Sequence, residues 1–332
     1  MKNKNDRILI TGATGFIGSH MFEHLSAKGY DVIGFDRYNS NNDWGWLENS
    51  KYINKDNIIL GDIRDYDSVY NVIKNQNRNV VFHLAALIGI PYSYISPLAY
   101  IRTNIEGTYN VLEASKHLEV DQVLITSTSE TYGSAQYSPI DERHPLVGQS
   151  PYAASKIAAD QLSISYFRSF DLPLKIIRPF NTYGPRQSSR AVIPTVISQI
   201  LSNEKNIYLG NIHPTRDLTF ISDTCNAFFE IYKSNSLFGE TTNIGMGEEI
   251  SIGDLVKLIS KVIGKNVDII SDNERIRPKK SEVDRLICDN SKLLNNTSWE
   301  PQYSLELGLR KFIDWIEKEE NFPFFKKNKY NV

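Results

Sequence analysis

Cysteine is almost absent: Cys225 and Cys288 are the only two in 332 residues. Two thiols are too few for a disulfide framework or a zinc cluster, so both are read as buried thiols. Histidine is scarce as well, at six residues. His20 and His24 stand four apart, as on one helix face, but no third ligand accompanies them and no metal site is expected. A long apolar run is also missing. The nearest approach, Val80 to Ile90, is broken by His83 and Gly89, and it falls short of the about 20 residues that span a bilayer. Neither sign of charge dominates, with 37 Lys and Arg against 39 Asp and Glu for a net charge of −2. That balance argues against nucleic acid or an anionic membrane as the main partner. Met1 to Asp6 leads into a strand pattern without the apolar stretch of a signal peptide, so a cytoplasmic location is expected.

What is present is an alternation of strand and helix patterns. Apolar runs read as strands at 7–11, 31–35, 57–60, 79–84, 122–126 and 174–178. Helical periodicity lies between them near 16–28, 65–76, 97–118 and 151–169. Such alternation predicts an α/β fold with a doubly wound parallel sheet and right-handed crossovers. At 41% hydrophobic and 23% charged residues, the chain can bury a large core and divide into one large and one small lobe. Pro179 to Arg190, rich in Pro, Gly, Asn and Ser, marks the change of lobe. The expected division is 1–178 as a cofactor lobe, with 219–246 packing back on it, and 179–218 with 247–332 as a substrate lobe.

The first strand, Arg7 to Thr11, runs straight into Gly12-Ala-Thr-Gly15-Phe16-Ile17-Gly18 and then a helix pattern. Strand, Gly-rich turn and helix in that order make a phosphate cradle, because the helix N-terminus presents free N–H groups to a pyrophosphate. The second strand ends in Asp36, about where a carboxylate accepts the ribose hydroxyls of NAD and repels a 2'-phosphate. Arg37 follows and could accommodate that phosphate, so NAD is preferred over NADP without NADP being excluded. Farther along, Tyr152 and Lys156 are four apart and share a helix face. A neighbouring ammonium lowers a phenol's pKa toward neutrality, which would make Tyr152 a base toward an alcohol. Thr126-Ser127-Thr128-Ser129-Glu130 lies just upstream, at the carboxyl end of a strand, where ligands bind in such sheets. Thr126, Ser127 and Thr131 are read as ordinary turn chemistry.

Taken together, Gly12-x-x-Gly15-x-x-Gly18, Asp36, Asp62-Ile63, His83-Leu84-Ala85-Ala86, Tyr152-x-x-x-Lys156 and Arg178-Pro179-Phe180-Asn181 resemble the extended short-chain dehydrogenase/reductases that modify nucleotide sugars. The resemblance continues through Tyr183-Gly184-Pro185-Arg186, Thr215-Arg216-Asp217 and Arg277-Pro278 to a helix ending near Glu320. It implies a Rossmann-type NAD domain, with Gly12, Gly15, Phe16, Ile17, Gly18, Asp36, Asp62, Ile63, Leu84, Ala85, Ala86, Tyr152 and Lys156 around the cofactor. It also implies a smaller lobe gripping a nucleoside diphosphate sugar, and a homodimer made by a four-helix interface of 97–118 and 151–169.

Within that family, the segment before the Tyr separates reactions. 4-Epimerases usually carry small residues and no acid there, whereas 4,6-dehydratases carry Thr-Asp-Glu or, in the GDP-mannose enzymes, Thr-Ser-Glu. Here it is Thr128-Ser129-Glu130. The resemblance therefore implies a 4,6-dehydratase with Thr128 on the sugar O4, Tyr152 and Lys156 at C4, and Glu130 removing the C5 proton with a relay through Ser129 or water. A pyrophosphate calls for planar Arg forks, for which Arg186, Arg190, Arg216 and Arg277 are the candidates. Asn181 and Glu282 match family positions near the phosphates and the nucleoside ribose. Arg168, Arg310 and the run Lys326-Lys327-Asn328-Lys329 read as solvated faces.

The stretch Leu87-Ile88-Gly89-Ile90-Pro91-Tyr92-Ser93-Tyr94 is apolar where neutral-hexose enzymes are more polar. With Asn42-x-Trp44-Gly45-Trp46-Leu47 it resembles the N-acetylglucosamine nucleotide 4,6-dehydratases, implying a UDP- or GDP-linked N-acetylglucosamine. Two other readings stay open: a 4-epimerase in which Glu130 only hydrogen-bonds the substrate, and a non-catalytic NAD-binding regulator of the same fold.

Overall fold

The protein is described from a computed structural model over residues 6–202, 205–318 and 321. Seven parallel strands form one sheet: β1 (Arg7–Thr11), β2 (Asp31–Arg37), β3 (Ile58–Gly61), β4 (Val80–His83), β5 (Gln122–Thr126), β6 (Leu174–Pro179) and β7 (Thr241–Ile244). Their spatial order is β7-β6-β5-β4-β1-β2-β3. The chain winds outward from β1 to one edge and then returns to build the other, leaving a crevice above β1 and β4 where the order reverses. This is the Rossmann-type doubly wound sheet expected from the alternation of patterns. The seventh strand was not among the expected ones, because Thr-Thr-Asn-Ile is short and weakly apolar. It pairs with β6 all the same, Thr241 with Ile176 through Ile244 with Pro179.

Alternation along each strand feeds two cores. Ile8, Ile10, Phe82, Leu124 and Ile177 face one layer, which contains α1 (Phe16–Ala27). Leu9, Val81, Val123, Ile125 and Ile176 face the other, which contains α2 (Tyr66–Asn75), α3 (Gly107–His117) and α4 (Pro151–Phe170). Burial of each such side chain contributes about 2 kcal/mol, and a one-residue slip of a strand would put each side chain against the wrong layer and break the packing of both.

The helix boundaries have local causes. Asp65 caps α2 by accepting from the Asp67 N–H at 3.1 Å. Ser150 caps α4 by accepting from the Ala153 N–H at 3.1 Å, with Pro151 at its first turn. The expected single helix over 97–118 is in fact three pieces: an α turn at Pro97–Tyr100, a π segment at Ile101–Glu106, and α3. The π segment carries Asn104 inward, and its side chain bonds Leu87 and Ser155. Insertions of this type mark functional sites in many helices.

Beyond β6 come α5 (Val192–Leu201), α6 (Ile221–Lys233), α7 (Ile252–Ile263) and α8 (Leu305–Ile316). Helix α6 packs on α1, and β7 extends the main sheet beside β6. Three two-stranded ribbons, 181–183 with 218–220, 215–216 with 250–251, and 206–209 with 268–271, build the remainder. Trp299, fully buried, donates its indole N–H to the Asp223 carbonyl at 2.9 Å and fastens the last helices to α6. The helix expected to reach Glu320 ends at Ile316 among the described residues, and Glu320 and Lys326 to Lys329 lie outside them.

Candidate active site

The glycine turn after β1 is shaped by close approaches. Gly12 has φ +73°, and a Cβ there would stand 2.8 Å from the Ala85 backbone, while one at Gly18 would stand 2.0 Å from the Gly12 carbonyl oxygen. Only glycine satisfies both positions. Gly15 opens α1 with no side chain capping it, which leaves the first N–H groups of the helix, at Phe16 and Ile17, directed to the crevice mouth. Asp36 is held at the end of β2 by the Thr14 N–H (2.8 Å) and hydroxyl (2.7 Å), and accepts from the Arg37 N–H at 2.7 Å. Leu84 and Ala85 are tied to Thr11, the first through its carbonyl and the second through its hydroxyl, both at 3.2 Å. Ala86 follows beside them, half-buried. These residues fit a dinucleotide: turn, helix end and acid occupy one edge of the crevice. Asp62 is less free than its position suggested. Arg64 clamps it through Nε at 3.0 Å and Nη2 at 2.5 Å, which holds its carboxyl below the usual range, and Ile63 is buried against Gly107.

Tyr152 and Lys156 both lie buried on the inward face of α4. The Lys156 ammonium donates to the Thr126 carbonyl at 2.6 Å. This corrects the expected electrostatics. Burial is the largest influence on the Tyr152 phenol and pushes it well above its ordinary value; the Thr128 hydroxyl opposes the rise, and the charges of Glu130 and Asp160 add to it. The ammonium that was to lower it is turned to Thr126, and burial lowers the Lys156 pKa as well. Thr128 caps a short 3-10 turn, Ser129–Tyr132, its hydroxyl accepting from the Glu130 N–H at 3.3 Å. Ser129 is buried at the start of that turn. Glu130 acts electrostatically on both Tyr152 and Arg216, so its carboxyl lies near the tyrosine and near the cationic cluster.

That cluster consists of Arg216, Arg277 and Glu282. The Glu282 carboxylate stands 3.5 Å from the Arg216 guanidinium and 3.7 Å from that of Arg277. Arg216 is buried, and burial pulls its pKa down against the attraction of Glu130 and Glu282. Nearby, Asn181 donates its N–H to the Asp217 carbonyl at 3.1 Å, while its buried side-chain Oδ1 is without a hydrogen-bond partner. Asp217 in turn gathers three N–H donors, from Met246 (2.8 Å), Gly247 (2.9 Å) and Cys288 (3.1 Å), and burial pushes its carboxyl up to about 6.

Two of the four expected arginines are elsewhere. Arg186 pairs with Glu23 of α1 at 3.0 Å, so it is held at α1 rather than in the Arg216 cluster. The reason is local: Gly184 and Arg186 both have positive φ, which turns the loop toward α1, where Pro185 accepts from His20 at 3.0 Å. Arg190 reaches instead to Gly89 and Tyr100. Its guanidinium is so close to Gly89 that a Cβ there would be 2.0 Å from Nη1, and its charge is felt by Tyr100.

Sequence reasoning missed Asn104 and Tyr100. Asn104 joins Leu87 (2.8 and 2.9 Å) to Ser155 (2.9 Å), and so fixes the 87–94 segment beside α4. The Tyr100 ring meets that of Tyr152 edge-on at 6.2 Å, and its hydroxyl donates to the Gly89 carbonyl. A buried Asn in an apolar helix pattern was the available signal.

Residues 9–312 match the family model described as GDP-mannose 4,6 dehydratase. The human dTDP-D-glucose 4,6-dehydratase is 31% identical over 96% of this chain and 92% of its own. A solved UDP-N-acetylglucosamine 4-epimerase from Methanobrevibacter ruminantium, in complex with UDP-N-acetylmuramic acid, superposes with a TM-score of 0.83 at 30% identity, over 95% of this chain and 99% of that one. DesIV, a dTDP-glucose 4,6-dehydratase from Streptomyces venezuelae solved with NAD bound, gives 0.85 at 27% identity, over 96% and 99%. With a matching crevice, a matching sheet and a family model spanning most of its length, this chain belongs to the GDP-mannose 4,6-dehydratase family of extended short-chain dehydrogenase/reductases that modify nucleotide sugars.

Proposed function

We propose that the protein is a nucleotide-sugar 4,6-dehydratase acting on UDP- or GDP-linked N-acetylglucosamine, with the cofactor lobe at 1–178 and 219–246 and the substrate lobe at 179–218 and 247–332. The observation that carries the reading is the position of Glu130, an acid on a capped turn within electrostatic reach of both Tyr152 and the Arg216 cluster. An epimerase needs no base for C5; a dehydratase does.

The Gly12–Gly18 turn and Asp36 would hold NAD, which would supply the hydride acceptor for C4 and the hydride donor for C6. Tyr152, with Thr128 beside it, takes the proton of the C4 hydroxyl as the phenolate, a form that burial opposes and that the positive nicotinamide of NAD and the Lys156 ammonium one turn on would favour. That ketone acidifies the C5 hydrogen. Glu130 removes it, and the C6 hydroxyl leaves as water with a proton passed from Glu130 through Ser129 or water. A proton then returns to C5. The balance is the loss of one water without net oxidation, giving a 4-keto-6-deoxy sugar.

Arg216 and Arg277 would hold the diphosphate, with Glu282 accepting from ribose hydroxyls and Asn181 supplying a polar contact near the phosphates. Arg190 would act at the sugar end rather than on the phosphates. Support for the acetamido group comes from the apolar wall of Leu87, Ile90 and Tyr100 around Tyr152, and from the named substrate of the Methanobrevibacter relative. Two copies would meet through the 97–118 and α4 helices, where Ile95, Leu98, Ile101 and Tyr109 leave apolar surface exposed. Among the described residues no helix is long and apolar enough to cross a membrane.

Incubation with UDP- and GDP-N-acetylglucosamine, followed by mass spectrometry, tests the assignment. The expected product is lighter by the mass of one water; a product of unchanged mass with inverted C4 would overturn it in favour of the epimerase.

A further inference from the structure

Behind Tyr152 and Lys156 lies a buried ion pair that the reaction as written does not use. Asp160 follows Lys156 by one turn of α4. Its Oδ2 accepts from the Arg178 guanidinium at 2.7 Å and from the Ser127 hydroxyl at 2.6 Å, and the side chains of Arg178 and Asp160 are only 3% and 1% exposed. The other oxygen, Oδ1, is buried with no hydrogen-bond partner. Arg178 also donates to Ser127 at 3.3 Å and lies over the Tyr132 ring, 4.6 Å from its centroid. One pair thus touches the end of β5, the turn that carries Glu130, and the helix that carries Tyr152 and Lys156.

A carboxylate satisfied on one oxygen only keeps a field of its own in a dry interior. One helical turn back is the Lys156 ammonium, for which burial favours the neutral form and Asp160 is the opposing influence. His83 on β4 feels the Lys156 charge; around the neighbouring Tyr152 and Asp160 lie Glu130 and Tyr132 on the 3-10 turn, Tyr100 before α3 and Arg178 on β6. His83 cannot substitute for Asp160: burial and the Lys156 charge push its imidazole down to about 3, so it is neutral.

We propose that Asp160, paired with Arg178, is a positioning residue that keeps the Lys156 ammonium charged at the Thr126 carbonyl and thereby sets the alkaline limit of proton transfer at the sugar O4. The inference rests on Tyr152 and Lys156 being the proton-transfer pair. With Asp160→Asn the remaining cation of Arg178 disfavours the ammonium, so Lys156 loses its proton at lower pH. The alkaline limb of the rate of nicotinamide reduction, measured by stopped flow with substrate and NAD-bound enzyme, is expected to move down by about one pH unit, a roughly tenfold loss above the limb. Asp160→Glu restores the limb, and Arg178→Met moves it upward, which decides the sign even if Asp160→Asn does not fold. The Lys156 Cε resonance of isotope-labelled lysine, followed against pH in the same variants, should move with the limb. A loss of equal factor at every pH, with limb and resonance fixed, overturns the inference and leaves Asp160 a structural anchor. If Tyr152→Phe still reduces nicotinamide at the unaltered rate, the proton-transfer pair itself is wrong, whatever Asp160→Asn does.

Discussion

Tyr152→Phe is expected to slow C4 oxidation by roughly a hundred- to ten-thousand-fold, the usual range for removing a positioned proton acceptor. The substitution deletes one hydroxyl and nothing else. The phenyl ring keeps its edge-on contact with Tyr100 and its place among Leu87 and Ile90, so fold and nucleotide affinity should be retained. The loss should fall on kcat with KM little changed, because binding is borne by the arginines while Tyr152 serves the proton at O4. Stopped-flow absorbance of the reduced nicotinamide in a single turnover checks this. A variant that reduces nicotinamide at the native rate would refute the role.

Glu130→Gln separates the two chemical halves. The amide keeps the shape of the side chain and the bond from the Glu130 backbone N–H to the Thr128 hydroxyl, in which the Glu130 side chain takes no part. Hydride transfer from C4 needs Tyr152 and Lys156, not the carboxylate, so nicotinamide should still be reduced when substrate is added. Elimination should fall by roughly a hundred- to ten-thousand-fold, and reduced nicotinamide with the keto sugar should accumulate on the enzyme. A steady spectrum of reduced cofactor without loss of water is the expected reading. An unchanged rate of water loss would remove Glu130 from the C5 step.

Much of this arrangement was legible in the residues. The strand patterns fall close to their observed bounds because a parallel sheet buried on both faces needs continuous apolar runs. The Gly12–Gly18 turn was readable because steric necessity allows only glycine at its tightest points. What stayed hidden depended on long-range packing. The seventh strand, Thr241–Ile244, has little β signal and is recruited by the open edge of β6. The π segment around Asn104 arises from tertiary bonds to Leu87 and Ser155 that no periodicity encodes. Arg186 looked like a phosphate ligand because it follows Tyr183-Gly184-Pro185, yet the backbone at Gly184 and Arg186 turns it to Glu23. The pair Tyr152 and Lys156 was recognisable by spacing, but the direction of the phenol's shift was not, since spacing does not report burial.

The central claim is that hydride leaves C4 and arrives at C6 while Glu130 handles the C5 proton. UDP-N-acetylglucosamine carrying deuterium at C4 tests it most directly, read by NMR of the product after full turnover. The account predicts the deuterium at C6 of a 4-keto-6-deoxy sugar. Deuterium found again at C4, on a sugar that has kept its C6 hydroxyl, would contradict it.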